Sequence, residues 1–141
     1  MRTIKFRAMR NNGKWVIGNY VHHLISYFDT IERHSIFLSK SENDNGGHWV
    51  EDIITKTIGQ FTGLYDKNHK EIYEGDILKW SKGRLYVVKF LEGMFYASVE
   101  ECNEGILGGF PLHRLTEYED GKCEIVGNIF DNPELLKGFV K

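Results

Sequence analysis

The sequence predicts a mainly β protein made of short antiparallel strands, and three features carry that expectation. Turn signals recur at short-strand spacing: Asn11-Asn12-Gly13, Asp66-Lys67-Asn68-His69, Glu74-Gly75-Asp76, Lys82-Gly83, Glu92-Gly93 and Asp120-Gly121. The runs between them are rich in β-branched and aromatic residues, and several alternate with a period of two. Fifteen glycines against two prolines suit a chain of tight turns rather than a disordered or collagen-like one.

From the start, Ile4, Phe6 and Ala8 alternate with Lys5 and Arg7, the pattern of a half-buried strand over residues 3–8. Asn11-Asn12-Gly13 is a hairpin turn, because Asn and Gly both accept positive φ. Trp15 and Ile17 open the return strand, which continues through Tyr20 and Val21 after a bend at Gly18. The outer strand of this hairpin has no obvious partner in the chain. Residues 24–38 carry two patterns. Leu24, Tyr27, Phe28 and Ile31 have helical spacing, while the β-branched and aromatic content fits strands at 24–28 and 35–39 around a turn near Asp29. The strands are the better fit. Residues 39–47 (SKSENDNGG) read as an exposed loop, after which Trp49 and Val50 return to the body.

The stretch 58–80, IGQFTGLYDKNHKEIYEGDILKW, sets the architecture of the rest: a run, a tight turn, a short run, a glycine turn and a third run. Phe61 and Leu64 are expected in the core, and the left-handed turn position falls at Asn68 or His69. RLYVVKFL and MFYASV follow as two further strands, which makes a curled antiparallel meander. Residues 100–109 form a polar, glycine-rich loop holding Cys102, and Phe110, Leu112 and Leu115 re-enter the core. Ile125 to Ile129 closes the sheet, with Gly127 permitting a bulge. Asn132-Pro133-Glu134 has the form of a helix start, giving a short helix over 133–137, stopped by Gly138 and docked by Leu135, Leu136 and Phe139.

The central stretch, with the opening IKFRAM and the closing IVGNIFDNPELL, resembles the YopX-like family of phage and prophage proteins. The three motifs stand at the start, middle and end in the family's order. The resemblance implies a β-rich protein with an SH3-like barrel in its C-terminal part, encoded by a phage and prone to self-association, without an established activity. It supplies no catalytic or binding residues. Two positions depart from the family pattern: His69 stands where glycine is usual, and Met9 where tryptophan is usual. The expected organisation is an N-terminal β-hairpin region over 1–56 and an SH3-like barrel with a short C-terminal helix over 57–141.

Composition narrows the function classes. Eighteen basic against twenty acidic residues leave a formal charge of -2, which gives no general case for binding nucleic acid. The absence of an apolar run of signal-peptide or membrane-spanning length predicts a soluble, intracellular protein, and the phage-family resemblance implies the bacterial host cytoplasm. Cys102 and Cys123 stand in no metal or redox spacing and read as free thiols.

No catalytic, cofactor or metal site is expected from the residue pattern. His22 and His23 are adjacent, so on a strand they face opposite sides, and no His-x-His spacing exists. Asp66, Glu71, Glu74 and Asp76 could be read as acid–base groups, but carboxylates beside glycine more often bind turn amides. Gly105-Ile106-Leu107-Gly108-Gly109 lacks the Gly-Lys-Ser/Thr ending of a phosphate loop. The one binding signal is the basic and aromatic interleaving of Lys79, Trp80, Lys82, Arg84, Tyr86 and Lys89, which on a barrel face could stack bases and hold phosphates. The competing reading is a solvated strand face whose aromatics belong to the core. The leading expectation is therefore a non-enzymatic, self-associating interaction module, a homo-oligomer with a phage or host protein partner. A weak nucleic-acid binder using Lys79 to Lys89 is the alternative, and an enzyme of unrecognised type the second.

Overall fold

The structure, a computed structural model, describes residues 1–26, 28, 30–38, 46–99, 109–117 and 123–137. Its elements are β1 (Phe6–Arg10), β2 (Trp15–Ser26), β3 (Thr30–Leu38), β4 (His48–Val50), β5 (Ile53–Tyr65), β6 (Glu71–Tyr73), β7 (Asp76–Lys79), β8 (Leu85–Leu91), β9 (Met94–Ser98), β10 (Gly109–Pro111), α1 (His113–Glu117) and β11 (Glu124–Asn128), then a 3-10 turn at Pro133–Leu135. The chain divides into two compact units, Met1–Gln60 and Phe61–Lys141, with the division falling inside β5.

In the first unit the strands lie in the order β4-β3-β2-β1-β5 and pair antiparallel. The β1–β2 turn is as expected: Gly13 has φ +82 and donates its N–H to Arg10 O at 2.9 Å. β1 starts at Phe6 rather than residue 3, and Ile4 is exposed. The expectation that β1 is an outer strand without a partner is corrected. Its second edge pairs with β5 from Phe6↔Gln60 to Arg10↔Ile53. A bulge between Arg7 and Met9 is filled by Thr57, whose Oγ1 accepts the Met9 N–H at 2.8 Å and donates to Ile54 O at 2.6 Å. Ala8, Ile36, Val50 and Ile53 form the buried core, with Phe6, Val16, Tyr20, Leu38 and Ile58 against it.

Residues 24–38 are strand, and the strands are longer than the sequence suggested. β2 runs unbroken from Trp15, and its ladder with β3 extends from Asn19↔Phe37 to Ser26↔Thr30. Gly18 permits this. A Cβ there would stand 2.2 Å from Phe37 O, at the residue where the ladder to β1 ends and that to β3 begins. Residues 27 and 29 of the turn, and 39–45 of the expected loop, lie outside the described residues.

In the second unit the last part of β5 pairs with β6, Phe61↔Tyr73 and Tyr65↔Glu71. A five-stranded antiparallel sheet has the order β10-β9-β8-β7-β11. It is open: among the described residues no ladder joins its edges β10 and β11, so the closed barrel expected from the sequence is met only as two antiparallel sheets. Both faces of its centre are buried. Leu78, Tyr86, Val88 and Ala97 join one core with Ile72, Leu112, Leu115 and Cys123, while Ile77 and Val87 join another with Leu136. That is why RLYVVKFL reads as a nearly continuous apolar run. The β8–β9 hairpin closes on two left-handed residues, Glu92 (φ +49) and Gly93 (φ +82), the backbone of a type I′ turn.

The turn after β5 places His69 at φ +60, where glycine has no Cβ penalty. The His69→Gly protein should be more stable by a few tenths to about 1 kcal/mol in urea melts. A loss of stability would show that contacts made by the imidazole outweigh the backbone strain. Towards the C-terminus two details differ from the sequence reading. A one-turn helix, α1, carries Leu115 into the core where no helix was expected. The helix expected over 133–137 is a 3-10 turn, and Asn132 does not cap it. Instead Asn132 Oδ1 accepts the Asn128 N–H at 3.3 Å, in space kept open by Gly127, whose added Cβ would meet that oxygen at 2.4 Å. The predicted bulge at Gly127 is present, between Ile125 and Gly127. The loop with Cys102, the Asp120-Gly121 turn, Gly138 and Phe139 lie outside the described residues. Among the described residues no helix is long and apolar enough to cross a membrane.

Candidate functional site

Beyond Gly18 and Ile36 the β2–β3 ladder continues as a two-stranded ribbon, residues 21–26 against 30–35. Among the described residues β1 pairs only with the start of β2, and β4 only with residues 36–38 of β3. Among the described residues, the outer edges of the ribbon therefore carry no strand. Leu24 and Ile31 are 63% and 52% exposed, and Phe28 at the tip is fully exposed.

Strand alternation puts Tyr20, His22 and Leu24 on one face with their partners Ile36, His34 and Glu32. This face begins in the core, where Tyr20 packs on Phe6 with ring centroids 5.4 Å apart, and runs outward as a ladder of rings. Tyr20 OH shares a hydrogen bond of 2.6 Å with His34 Nδ1, and the His34 and His22 rings stack at 4.5 Å and 4°. Glu32 Oε1 lies 2.8 Å from His22 Nε2 and 3.4 Å from His34 Nε2. Burial, and then the charge of Glu32, push the Tyr20 hydroxyl above its ordinary value. Beside the cluster is an open cleft of about 270 Å³ whose lining includes Glu32, Arg33, His34 and Glu51, with Arg33 Nη1 3.7 Å from Glu51 Oε2.

The residues singled out from the sequence lie elsewhere, in the second unit. Lys79, Lys82 and Arg84 are exposed near the β7–β8 turn, and Lys82 Nζ stands 5.3 Å from the Trp80 ring centroid. Tyr86 is buried against Phe110 and belongs to the core, and Trp80 packs partly on that same core. Lys89 alternates with Tyr86 along β8 and takes the opposite side of the sheet. The structure brings Lys82 against Trp80, with Arg84 exposed nearby, whereas alternation puts Lys79, opposite Leu85, on the Lys89 side of the sheet and Tyr86 in the core.

The two aspartates of the central stretch hold backbone amides, and Glu71 holds a tyrosine. Asp66 Oδ1 accepts the N–H groups of Asn68 (2.8 Å) and Lys70 (2.9 Å), and Oδ2 that of Ile125 (3.1 Å). Burial alone would raise its pKa, but the three backbone donors and the Lys70 charge hold the carboxyl below its ordinary value. Asp76 accepts the Tyr73 N–H at 2.8 Å, and Glu71 accepts the Tyr73 hydroxyl at 2.8 Å. Cys123 is fully buried, and burial with the Asp66 charge pushes its thiol up, away from thiolate chemistry.

Reading along one strand missed the His22–Glu32–His34 cluster, because its members meet only across the hairpin. The usable signal is that His22 and His34 stand equally far from Phe28. A turn centred one residue later, near Asp29, sets His22 opposite Ile36 and hides the pair.

The family model for YopX protein matches residues 5–137. The crystal structure of protein EF1440 from Enterococcus faecalis is similar over 96% of this chain and 99% of its own, at 24% identity and a TM-score of 0.57, a likeness in fold alone. No curated protein matches the chain.

Proposed function

The chain belongs to the YopX protein family, and from that premise we propose a non-enzymatic, self-associating interaction module of a phage or prophage, acting in the host cytoplasm. Its five-stranded sheet is read as an SH3-like module that curls without closing. The observation that carries self-association is the β2–β3 ribbon with its exposed Leu24, Phe28 and Ile31. A two-stranded hairpin is marginal in water, and open strand edges template pairing with another chain. Burying each of these side chains contributes about 1.5–3 kcal/mol, and a symmetric homo-oligomer is the commonest way to do so. The non-enzymatic reading is supported by Asp66, Asp76 and Glu71, whose carboxylates are engaged with backbone amides and a tyrosine.

Light scattering at micromolar concentration should give a mass above that of one chain. Leu24→Asp combined with Ile31→Asp should return it to one chain, with the second unit still folded. A single-chain mass for the unmodified protein over a wide concentration range contradicts the proposal.

A further inference from the structure

We propose that His22, Glu32 and His34 form a binding site for a divalent transition-metal ion of the zinc class. Two imidazoles and a carboxylate are the donor set of open zinc sites, where three protein ligands leave a fourth position for water. The donor atoms of the three residues all lie within 4.8 Å of one another. Zinc bonds of about 2.0–2.1 Å put neighbouring tetrahedral ligand atoms about 3.3 Å apart. The 3.4 Å from Glu32 to His34 already meets this, and the 2.8 Å from Glu32 to His22 needs a shift of about half an ångström.

Four further features fit an ion better than a surface ion pair. His22 and His34 both present Nε2 to the same carboxylate oxygen, and rotation of the exposed His22 ring out of its stack on His34 turns both in-plane lone pairs onto one ion. With Nε2 on the metal, His34 Nδ1 carries the proton and donates it to Tyr20 Oη, the outer hydrogen bond that orients a metal-bound imidazole. Tyr20 is itself anchored on the core through Phe6, so the inner ligand is held by packing. Two of the three ligands also line the open cleft, which gives the ion a route from solvent. The proposal does not depend on self-association, because all three ligands come from one chain.

The test is a calorimetric titration of the full chain with Zn²⁺, repeated with Co²⁺ read by its visible absorption. One ion per chain is expected, with intense Co²⁺ bands of a four-coordinate site. His22→Ala and Glu32→Gln, both on the exposed ribbon, should each weaken binding roughly 100-fold, and Tyr20→Phe roughly 10-fold. His23→Ala, on the opposite face, should titrate like the unmodified chain. Circular dichroism confirms that each variant is folded. No saturable binding up to about 100 μM, or binding that His22→Ala and Glu32→Gln leave unchanged, overturns the proposal.

Discussion

Gly18→Val should destabilise the first unit by about 3 kcal/mol or more, the largest effect of any single substitution considered. The obstacle is backbone. The new Cβ would stand 2.2 Å from Phe37 O and 2.9 Å from Ile36 Cγ2, so β3 must move away from β2. Ile36 is fully buried at the centre of the first unit's core, and moving it opens contacts with Ala8, Val50 and Ile53. The fluorescence of Trp15 and Trp49 in urea reports this unit, whereas Trp80 reports the other. Gly46→Ala is the control, because nothing lies within 4 Å of an added Cβ there, and it should change stability by no more than about 0.5 kcal/mol. A Gly18→Val protein as stable as its parent would contradict the close passage of β3 over β2.

Asp66→Ala should cost the second unit about 3 kcal/mol, because three backbone donors lose a buried carboxylate at once. Asp66 is only 5% exposed, and its bond to Ile125 spans 59 residues, tying the β5–β6 turn to β11. Lys67 reinforces the tie: its N–H donates to Cys123 O at 2.9 Å and its ammonium pairs with Glu124 at 2.6 Å. The pH dependence follows from the sign of the shift. The folded carboxyl has a depressed pKa, so its stabilisation is complete above the ordinary value of about 3.9 and is lost as pH falls through the lower folded value. Asp66→Asn should therefore flatten the acid limb of the stability profile below about pH 4. An unchanged acid limb would mean that the carboxylate does not hold these amides in solution.

Local rules carried the fold a long way. Gly13, Gly93 and a left-handed position at Asn68 or His69, which the structure places at His69, were legible because each turn needs a backbone that few residues adopt. The strands at 24–38 were legible from β-branched and aromatic content against a weaker helical spacing. What escaped depends on pairing between distant segments. The second partner of β1 is set by β5, some fifty residues on, and no period within β1 announces it. Asn132 was read as a cap from its neighbours, yet the opening beside Gly127 took its side chain. α1 was missed because one turn of helix has too few residues to show a period. The binding face at Lys79 to Lys89 combined residues by sequence proximity, whereas alternation and burial divide them between two sides and a core. The His22–Glu32–His34 cluster needed the hairpin register to within one residue.

The most direct measurement of the central proposal is amide hydrogen exchange of the intact chain at low and high micromolar concentration. If the β2–β3 ribbon joins two copies, amides at 21–26 and 30–35 should gain protection as concentration rises, while those of β7, β8 and β9 should not change. Ribbon amides that exchange at the same rate at every concentration would contradict self-association through this element.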